Sequence, residues 1–336
     1  MKQSLTQVLI TGVYRTGSEY LTQLLNTHPQ LSATMYRVNM LRFMYKKYDP
    51  IHLPEQQKTA LDDLSGRLKI RYNVELNISE ITSRLKQIQQ VNYGNLYDAI
   101  MTELYLKGDA LSWAEKCQLT WRETPDFTQM MPNGKVIIIV RDPRSVLSSF
   151  KKFTYAPEPA YLGAIFNCFD CMKSILQFEK QLNPDQFTWV RYEDIARNPQ
   201  KITEKLWDFI GLSNTTNVHT ESQWLDAYGN PWVANSSFTS EKSTQPFDVD
   251  KAINRWKLNL EPFELQLTEG ICGDLMSRFG YENSSKNLDW QNSLKPILSD
   301  TTMTKYYQNW VMNNEGIQAF PTDPLIPKNW KGKAPS

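Results

Sequence analysis

Three short runs of this chain are apolar almost throughout rather than at alternate positions: Val8–Ile10, Val136–Val140 and Phe187–Val190. Unbroken apolarity over strand length predicts strands buried on both faces, as in a parallel sheet. Helical spacing follows the first and third runs. Tyr20, Leu21, Leu24 and Leu25 share one face and stop near His28-Pro29; Ile202, Leu206, Phe209 and Ile210 follow the helix start Asn198-Pro199 and end at Gly211. Strand alternating with helix predicts an α/β fold, doubly wound, with a mainly parallel central sheet flanked by helices. Residues 45–112 read differently. They are polar and mostly helical in pattern (Ile81, Leu85, Ile88) and carry no run that must join the sheet, so a helical insertion covering one edge is expected. Residues 1–283 then form one domain, with 45–112 as its cap. Residues 284–336, rich in Asn, Pro and aromatics including Trp290, Trp310 and Trp330, form an extension packing on that domain.

At 336 residues the chain can bury a full core. Lys and Arg number 37 against 36 Asp and Glu, which disfavours a general nucleic-acid surface but not a local basic pocket. No apolar stretch approaches bilayer length, and the apolar run near the N-terminus is too short for a signal peptide. A cytoplasmic protein with reduced thiols is therefore expected. Cys168 and Cys171 fall in an amphipathic helical stretch while Cys117 and Cys272 stand alone, which reads as buried apolar thiols rather than a metal site. The 10 Trp and 16 Tyr suit packing against flat organic groups, and with the neutral charge they permit a homodimer without requiring one.

The chemistry begins after the first strand, at TGVYRTGSEY (residues 11–20). Thr11, Gly12, Thr16, Gly17 and Ser18 are small, so backbone N–H groups at a helix start can approach an anion, and Arg15 adds a planar cation. The nucleotide triphosphatase pattern G-x-x-x-x-G-K-[ST] is absent, because Ser18 rather than Lys follows Gly17. Taken alone, the stretch reads equally as a tight turn with an exposed arginine. After the second strand, RDPRSVLSSF places Arg141 at the strand end, Pro143 at a helix start and Ser149 eight residues after Arg141. Arginine and serine there can grip a second phosphate, though Arg141 and Asp142 also suit a surface ion pair.

These blocks carry a resemblance. RTGSEYLTQLLNTHP is similar to the 5′-phosphosulfate loop of the sulfotransferases, and RDPRSVLSSF to their 3′-phosphate segment. RYEDIARNPQKITEKLWDFIGL, NSSF, INRWK and LMSRFGYE resemble further blocks of the family, in family order up to about residue 282. The resemblance implies a P-loop-like fold and the donor 3′-phosphoadenosine 5′-phosphosulfate (PAPS), leaving adenosine 3′,5′-bisphosphate (PAP), with no metal. By it, Arg15, Thr16, Gly17 and Ser18 hold the 5′ side, Arg141 and Ser149 the 3′-phosphate, and Tyr192 lies near the adenine. Ser236, Ser237 and Phe238 line the nucleotide, and Arg255 belongs to a phosphate-binding block. The expected acceptor is a hydroxyl, or an amine or guanidine nitrogen, of a small molecule or glycan.

The resemblance fails at the general base. Relatives carry a Glu after the helix-closing His-Pro, where this chain reads HPQLSATMYRVNML, or a His two residues after a mid-chain Lys. Here WAEKCQL resembles that region, which makes Lys116 the matching cation but puts Gln118 in the histidine's place. Glu115, Glu19, His52 and Glu55 remain as candidates, with His28 expected to cap the first helix and His52 and His219 expected in loops. A protein that keeps nucleotide binding without transfer is the second reading. A nucleoside kinase or triphosphatase is the third, disfavoured by the missing Gly-Lys-Ser/Thr.

Overall fold

The computed structural model describes residues 5–35, 38–151, 158–213, 224, 248–284 and 289–319. The first half of the chain contains β1 (Gln7–Gly12), α1 (Ser18–Leu25), β2 (Leu31–Met35), α2 (Met40–Phe43), α3 (Pro54–Tyr72), α4 (Ile78–Leu85) and α5 (Tyr93–Tyr105). Then come β3 (Ser112–Lys116), α6 (Thr124–Met130), β4 (Lys135–Val140), α7 (Pro143–Lys151), α8 (Gly163–Gln181) and β5 (Phe187–Arg191). Helices α9 (Tyr192–Arg197), α10 (Pro199–Ile210), α11 (Val249–Asn254), α12 (Trp256–Asn259) and α13 (Pro262–Arg278) follow, and α14 (Trp290–Ser293), α15 (Lys295–Leu298) and α16 (Thr301–Asn313) close the described chain.

The five strands form one sheet in the order β2-β3-β1-β4-β5, and every pairing is parallel. All carboxyl ends therefore share one edge. From β1 the chain crosses to β2 on one side, and from β4 to β5 on the other, so the crevice of this doubly wound sheet opens between the ends of β1 and β4. Strand alternation divides the core in two. Leu9, Trp113, Val136 and Ile138 face one cluster, and Val8, Ile10, Ala114, Ile137 and Ile139 face the other.

The three apolar runs are β1, β4 and β5, but two strands are additional to that expectation. β3 is fully buried although Ser112, Glu115 and Lys116 are polar, so a search for apolar runs passes over it. β2 (LSATM) is short and mixed for the same reason. Between them, Leu61, Leu64, Leu68, Ile81, Leu96 and Ile100 join the cluster of Leu9 and Trp113. The helices of this stretch pack onto a face of the sheet rather than only along an edge.

The helix after β5 follows its sequence signals closely. α10 begins at Pro199, buries Leu206, Trp207 and Ile210, and ends at Gly211 with φ of 89°, a conformation open to glycine. Trp207 Nε1 donates to the Leu25 carbonyl at 3.2 Å, closing α1 against α10. His28 does not cap α1: its ring accepts the Gln30 N–H at 3.1 Å and lies 3.0 Å from the Ser213 carbonyl. It therefore pins the turn before β2 to the end of α10. All four cysteines are buried and unbridged, and no described helix is long and apolar enough to cross a membrane.

A buried ion cluster fixes the start of α7. Arg144 donates to both Asp142 carboxylate oxygens, at 2.9 Å from Nε and 2.7 Å from Nη2. Its Nη1 reaches Glu269 of α13 at 2.7 Å, and its guanidinium stacks 4.0 Å from the Trp256 ring centroid. Asp142 and Arg141 are thus not an ion pair; the aspartate belongs to Arg144. Removing Arg144 would leave the Asp142 and Glu269 carboxylates buried without their shared partner, which costs about 3–5 kcal/mol. Arg144→Met is expected to lower the unfolding free energy from urea titration by that amount with little change in slope; a loss below about 1 kcal/mol would show that the cluster contributes little.

Candidate active site

The turn after β1 is built by backbone conformation. Gly12 has φ of 150° and Gly17 φ of 86°, and a Cβ on Gly17 would run into the Tyr192 ring. Arg15 itself takes φ of 71°, rare for a residue with a side chain and strained by roughly 1–3 kcal/mol. Side chains brace the turn: Thr16 Oγ1 donates to the Val13 carbonyl at 2.8 Å, and Gln118 Nε2 donates to Ser18 Oγ at 2.8 Å. Gly17 offers no side chain to cap α1, so the first N–H groups of that helix keep their positive end for an anion.

The end of β4 brings a second group of residues to the same place. Arg15 Nε donates to Ser149 Oγ at 2.8 Å across 134 residues of sequence. Arg141 donates from Nη1 to the Arg15 carbonyl at 3.0 Å and from Nη2 to the Ala252 carbonyl at 2.7 Å. Its guanidinium lies 4.4 Å from the Tyr192 ring centroid, and its buried Nε has no hydrogen-bond partner among the described residues. Burial pushes the Tyr192 hydroxyl above its ordinary pKa, against the pull of Arg141, Arg255 and Arg15. The charges of all three arginines are thus felt at this buried tyrosine, and Arg141 stacks on its ring. Glu193, beside it, is otherwise engaged: it accepts the Asp142 N–H at 3.1 Å and the Tyr281 hydroxyl at 2.8 Å.

Lys116 and Glu115, adjacent in sequence, point to opposite faces of β3. Lys116 faces the turn. Burial lowers its pKa to about 8, Arg15 pushes the same way, and Glu19 opposes both. Glu115 faces the other core and accepts the N–H groups of Val38 (3.1 Å), Asn39 (2.7 Å) and Met40 (3.4 Å) together with the Tyr97 hydroxyl. Fully buried and committed to those donors, it pins the start of α2 and is not brought to the turn. His52 is exposed and the exposed Glu55 opens α3, and neither has a contact with the turn among the described hydrogen bonds. Ser236, Ser237, Phe238 and His219 lie outside the described residues.

Two contributors were not legible as functional. Gln118, read from sequence as an empty base position, is the brace that holds Ser18 Oγ. Tyr14 accepts from Arg42 Nη1 at 2.9 Å, which joins α2 to the turn. Neither has a motif; only the fold juxtaposes them.

This arrangement of a strained glycine turn opposite an Arg–Ser pair matches a known family. The chain belongs to the sulfotransferase family, whose model matches residues 7–216. Among curated proteins it is similar to carbohydrate sulfotransferase 3 of Tetronarce californica, 29% identical over 172 residues, 45% of this chain and 36% of that protein. It is also similar to carbohydrate sulfotransferase 1 of Danio rerio, 26% identical over 194 residues, 52% of this chain and 44% of that protein. The match spans less than half the length of these curated relatives. Among solved structures, the sulfotransferase domain of the Synechococcus PCC 7002 olefin synthase aligns with a TM-score of 0.51 at 21% identity, over 84% of this chain and 97% of that one. The sulfotransferase domain of the curacin biosynthetic pathway aligns with a TM-score of 0.50 at 19% identity, over 84% and 99%. These two likenesses establish the fold.

The lysine has a measurable consequence. Because its folded pKa of about 8 lies below the ordinary value of 10.5, the unfolded chain binds the extra proton between those limits. The penalty is complete below about pH 8 and fades as pH rises toward 10.5. Lys116→Met is expected to gain on the order of 1–3 kcal/mol over wild type at pH 7, with the gain shrinking toward pH 10. Urea titrations of both proteins across that range check this; a difference independent of pH would contradict a charge penalty at Lys116.

Proposed function

We propose that this chain transfers a sulfuryl group from PAPS to an acceptor hydroxyl, the acceptor being a carbohydrate or another small polar molecule. The observation that carries the reading is that Arg141 bridges the glycine turn to the Tyr192 ring while Arg15 of that turn bonds Ser149. A donor with phosphates at both ends of an adenosine suits that distribution of charge. The buried Arg141 Nε has an unused donor, and the uncapped start of α1 supplies further ones. The carbohydrate acceptor is inferred from the curated relatives named carbohydrate sulfotransferases.

In this reading Ser18, Gly17 and the first N–H groups of α1 hold the 5′ side, while Arg141 and Ser149 hold the 3′-phosphate. When bound, the donor supplies the sulfuryl group and a phosphate leaving group. Arg15 and Lys116 are the cations assigned to stabilise the charge on that leaving group. Arg15 also holds Ser149, so the two phosphate sites are mechanically joined. The remaining task is alignment of the acceptor, which needs no protein nucleophile. For the proton, Glu19 is the candidate whose charge is felt at Lys116, whereas Glu115 is committed elsewhere. The amide of Gln118 cannot take a proton, which favours an amine acceptor as a second reading, since a nitrogen can attack before it is deprotonated.

Isothermal titration with PAP tests the reading. Wild type is expected to bind, and Arg141→Ala to weaken binding about 10- to 100-fold, the range for a charged hydrogen-bonding group lost from a phosphate. ATP with Mg²⁺ is expected to give no comparable stabilisation. No heat from PAP on wild type would sink the proposal, and release of PAP from PAPS with sugar or amino-sugar acceptors would separate the two acceptor chemistries.

A further inference from the structure

The segment that leaves β3 carries unusual strain and unusual bracing. Leu119 holds φ of 57°, a left-handed conformation that a Leu adopts only when its surroundings enforce it. On either side of it, Gln118 holds Ser18 Oγ and Thr120 Oγ1 lies 3.0 Å from Thr11 Oγ1. The Leu119 N–H itself donates to the Gly12 carbonyl at 3.2 Å. The turn that holds the 5′ side thus leans on residues 117–120, and the question is what those residues lean on.

Two of the next three residues, Arg122 and Glu123, are held by the far end of the chain. Arg122 Nη2 donates to the Gly316 carbonyl at 3.1 Å, and the Arg122 N–H donates to Gln318 Oε1 at 2.8 Å. Gln318 Nε2 in turn reaches the Glu123 carboxylate at 2.9 Å. On α8, the buried Asn167 grips both backbone groups of Ala319, donating to its carbonyl at 2.8 Å and accepting its N–H at 3.0 Å. Asp170, one turn further along α8, takes Trp121 Nε1 at 2.8 Å and Arg122 Nε at 2.8 Å. Gly316 is pressed so closely on α8 that a Cβ there would run into the Phe166 carbonyl and Asp170. Simple attachment of the tail does not require this set of bonds. The aromatic contacts of α16 on α8, Tyr306 with Phe166 and Trp310 with Phe169, already supply attachment. The polar contacts of 316–319 run between α8, at Asn167 and the Phe166 carbonyl, and the segment 121–123.

We propose that Gly316–Ala319 form a strap that holds the strained segment 117–123 in place and, through Gln118 and Thr120, sets the 5′-phosphate side of the donor site. Arg122 and Gln318 are then positioning residues, acting through Ser18 and Thr11 without touching the donor. The 3′-phosphate side, on Arg141 and Ser149, makes no hydrogen bond to 117–123 among the described residues and meets that segment only indirectly, through Arg15 of the turn. The inference rests on the donor-site reading above.

The test compares four proteins: the full chain, a chain ending at Ala319, a chain ending at Glu315, and the full chain with Gln318→Ala. Each is titrated with PAP and with adenosine 3′-monophosphate, which lacks the 5′-phosphate. The chain ending at Ala319 is expected to bind both like the full chain. The chain ending at Glu315 and Gln318→Ala are expected to lose about tenfold for PAP and clearly less for the 3′-monophosphate, whose site is joined to the turn only through Arg15. Unchanged PAP affinity in both overturns the strap, and so does an equal loss for the two nucleotides, which would mark the tail as plain structural support. Gln318→Ala keeps the test decisive should the chain ending at Glu315 fail to fold. If the full chain binds neither nucleotide, the donor reading is what fails. Amide exchange in 117–123 then decides the strap separately, since unchanged protection without Gly316–Ala319 would overturn it too.

Discussion

Bringing the guanidinium groups of Arg15 and Arg141 to one turn beside a buried tyrosine is the constraint on which the rest of this site depends. Like charges brought together in a half-dry crevice repel, and each must be fixed by neighbours that do not neutralise it. Arg141 is fixed by two backbone carbonyls, those of Arg15 and Ala252, and by the face of Tyr192. Arg15 is turned toward Ser149 by a left-handed backbone. Of the nearby carboxylates, Asp142 is engaged by Arg144, while Glu193 accepts from Tyr281 and the Asp142 N–H and still feels the charge of Arg141. The two guanidinium groups are thus held mainly by carbonyls, a hydroxyl and a ring face.

The sheet makes this geometry affordable. Because all five strands are parallel and β1 and β4 are neighbours, the two phosphate-binding turns emerge side by side from the same edge. The central strands β1, β3 and β4 are buried on both faces, so strain at Arg15 and Leu119 does not relax by moving the scaffold. The same logic explains the Glu115–Lys116 pair. Strand alternation sends one charge to pin α2 through its backbone N–H groups and the other to the turn, so adjacent residues serve opposite faces of one sheet.

Much of this was legible in advance, and the limits are instructive. Val8–Ile10 and Val136–Val140 announce themselves because double burial demands unbroken apolarity, and Pro199 and Gly211 bound a helix because their backbones permit little else. β3 was hidden because its polar residues are satisfied by partners distant in sequence: Glu115 by residues 38–40 and Tyr97, and Trp113 Nε1 by Asp98. His28 looked like a helix cap, but its partner Ser213 lies 185 residues away. Gln118 looked like a missing histidine because its role as a brace exists only against Ser18.

The sequence by itself determined the parallel α/β class, the glycine turn after β1 and the Arg-Asp-Pro-Arg turn after β4, because these rest on local backbone freedom and on apolar runs. Only the tertiary structure decided which arginine serves which purpose. Arg141 and Arg144 are three residues apart on one turn, yet one faces Tyr192 and the other lies buried between Asp142 and Glu269. The difference arises from which elements pack against each side of α7, and that is settled by contacts with α11 and α13, more than a hundred residues further along the chain.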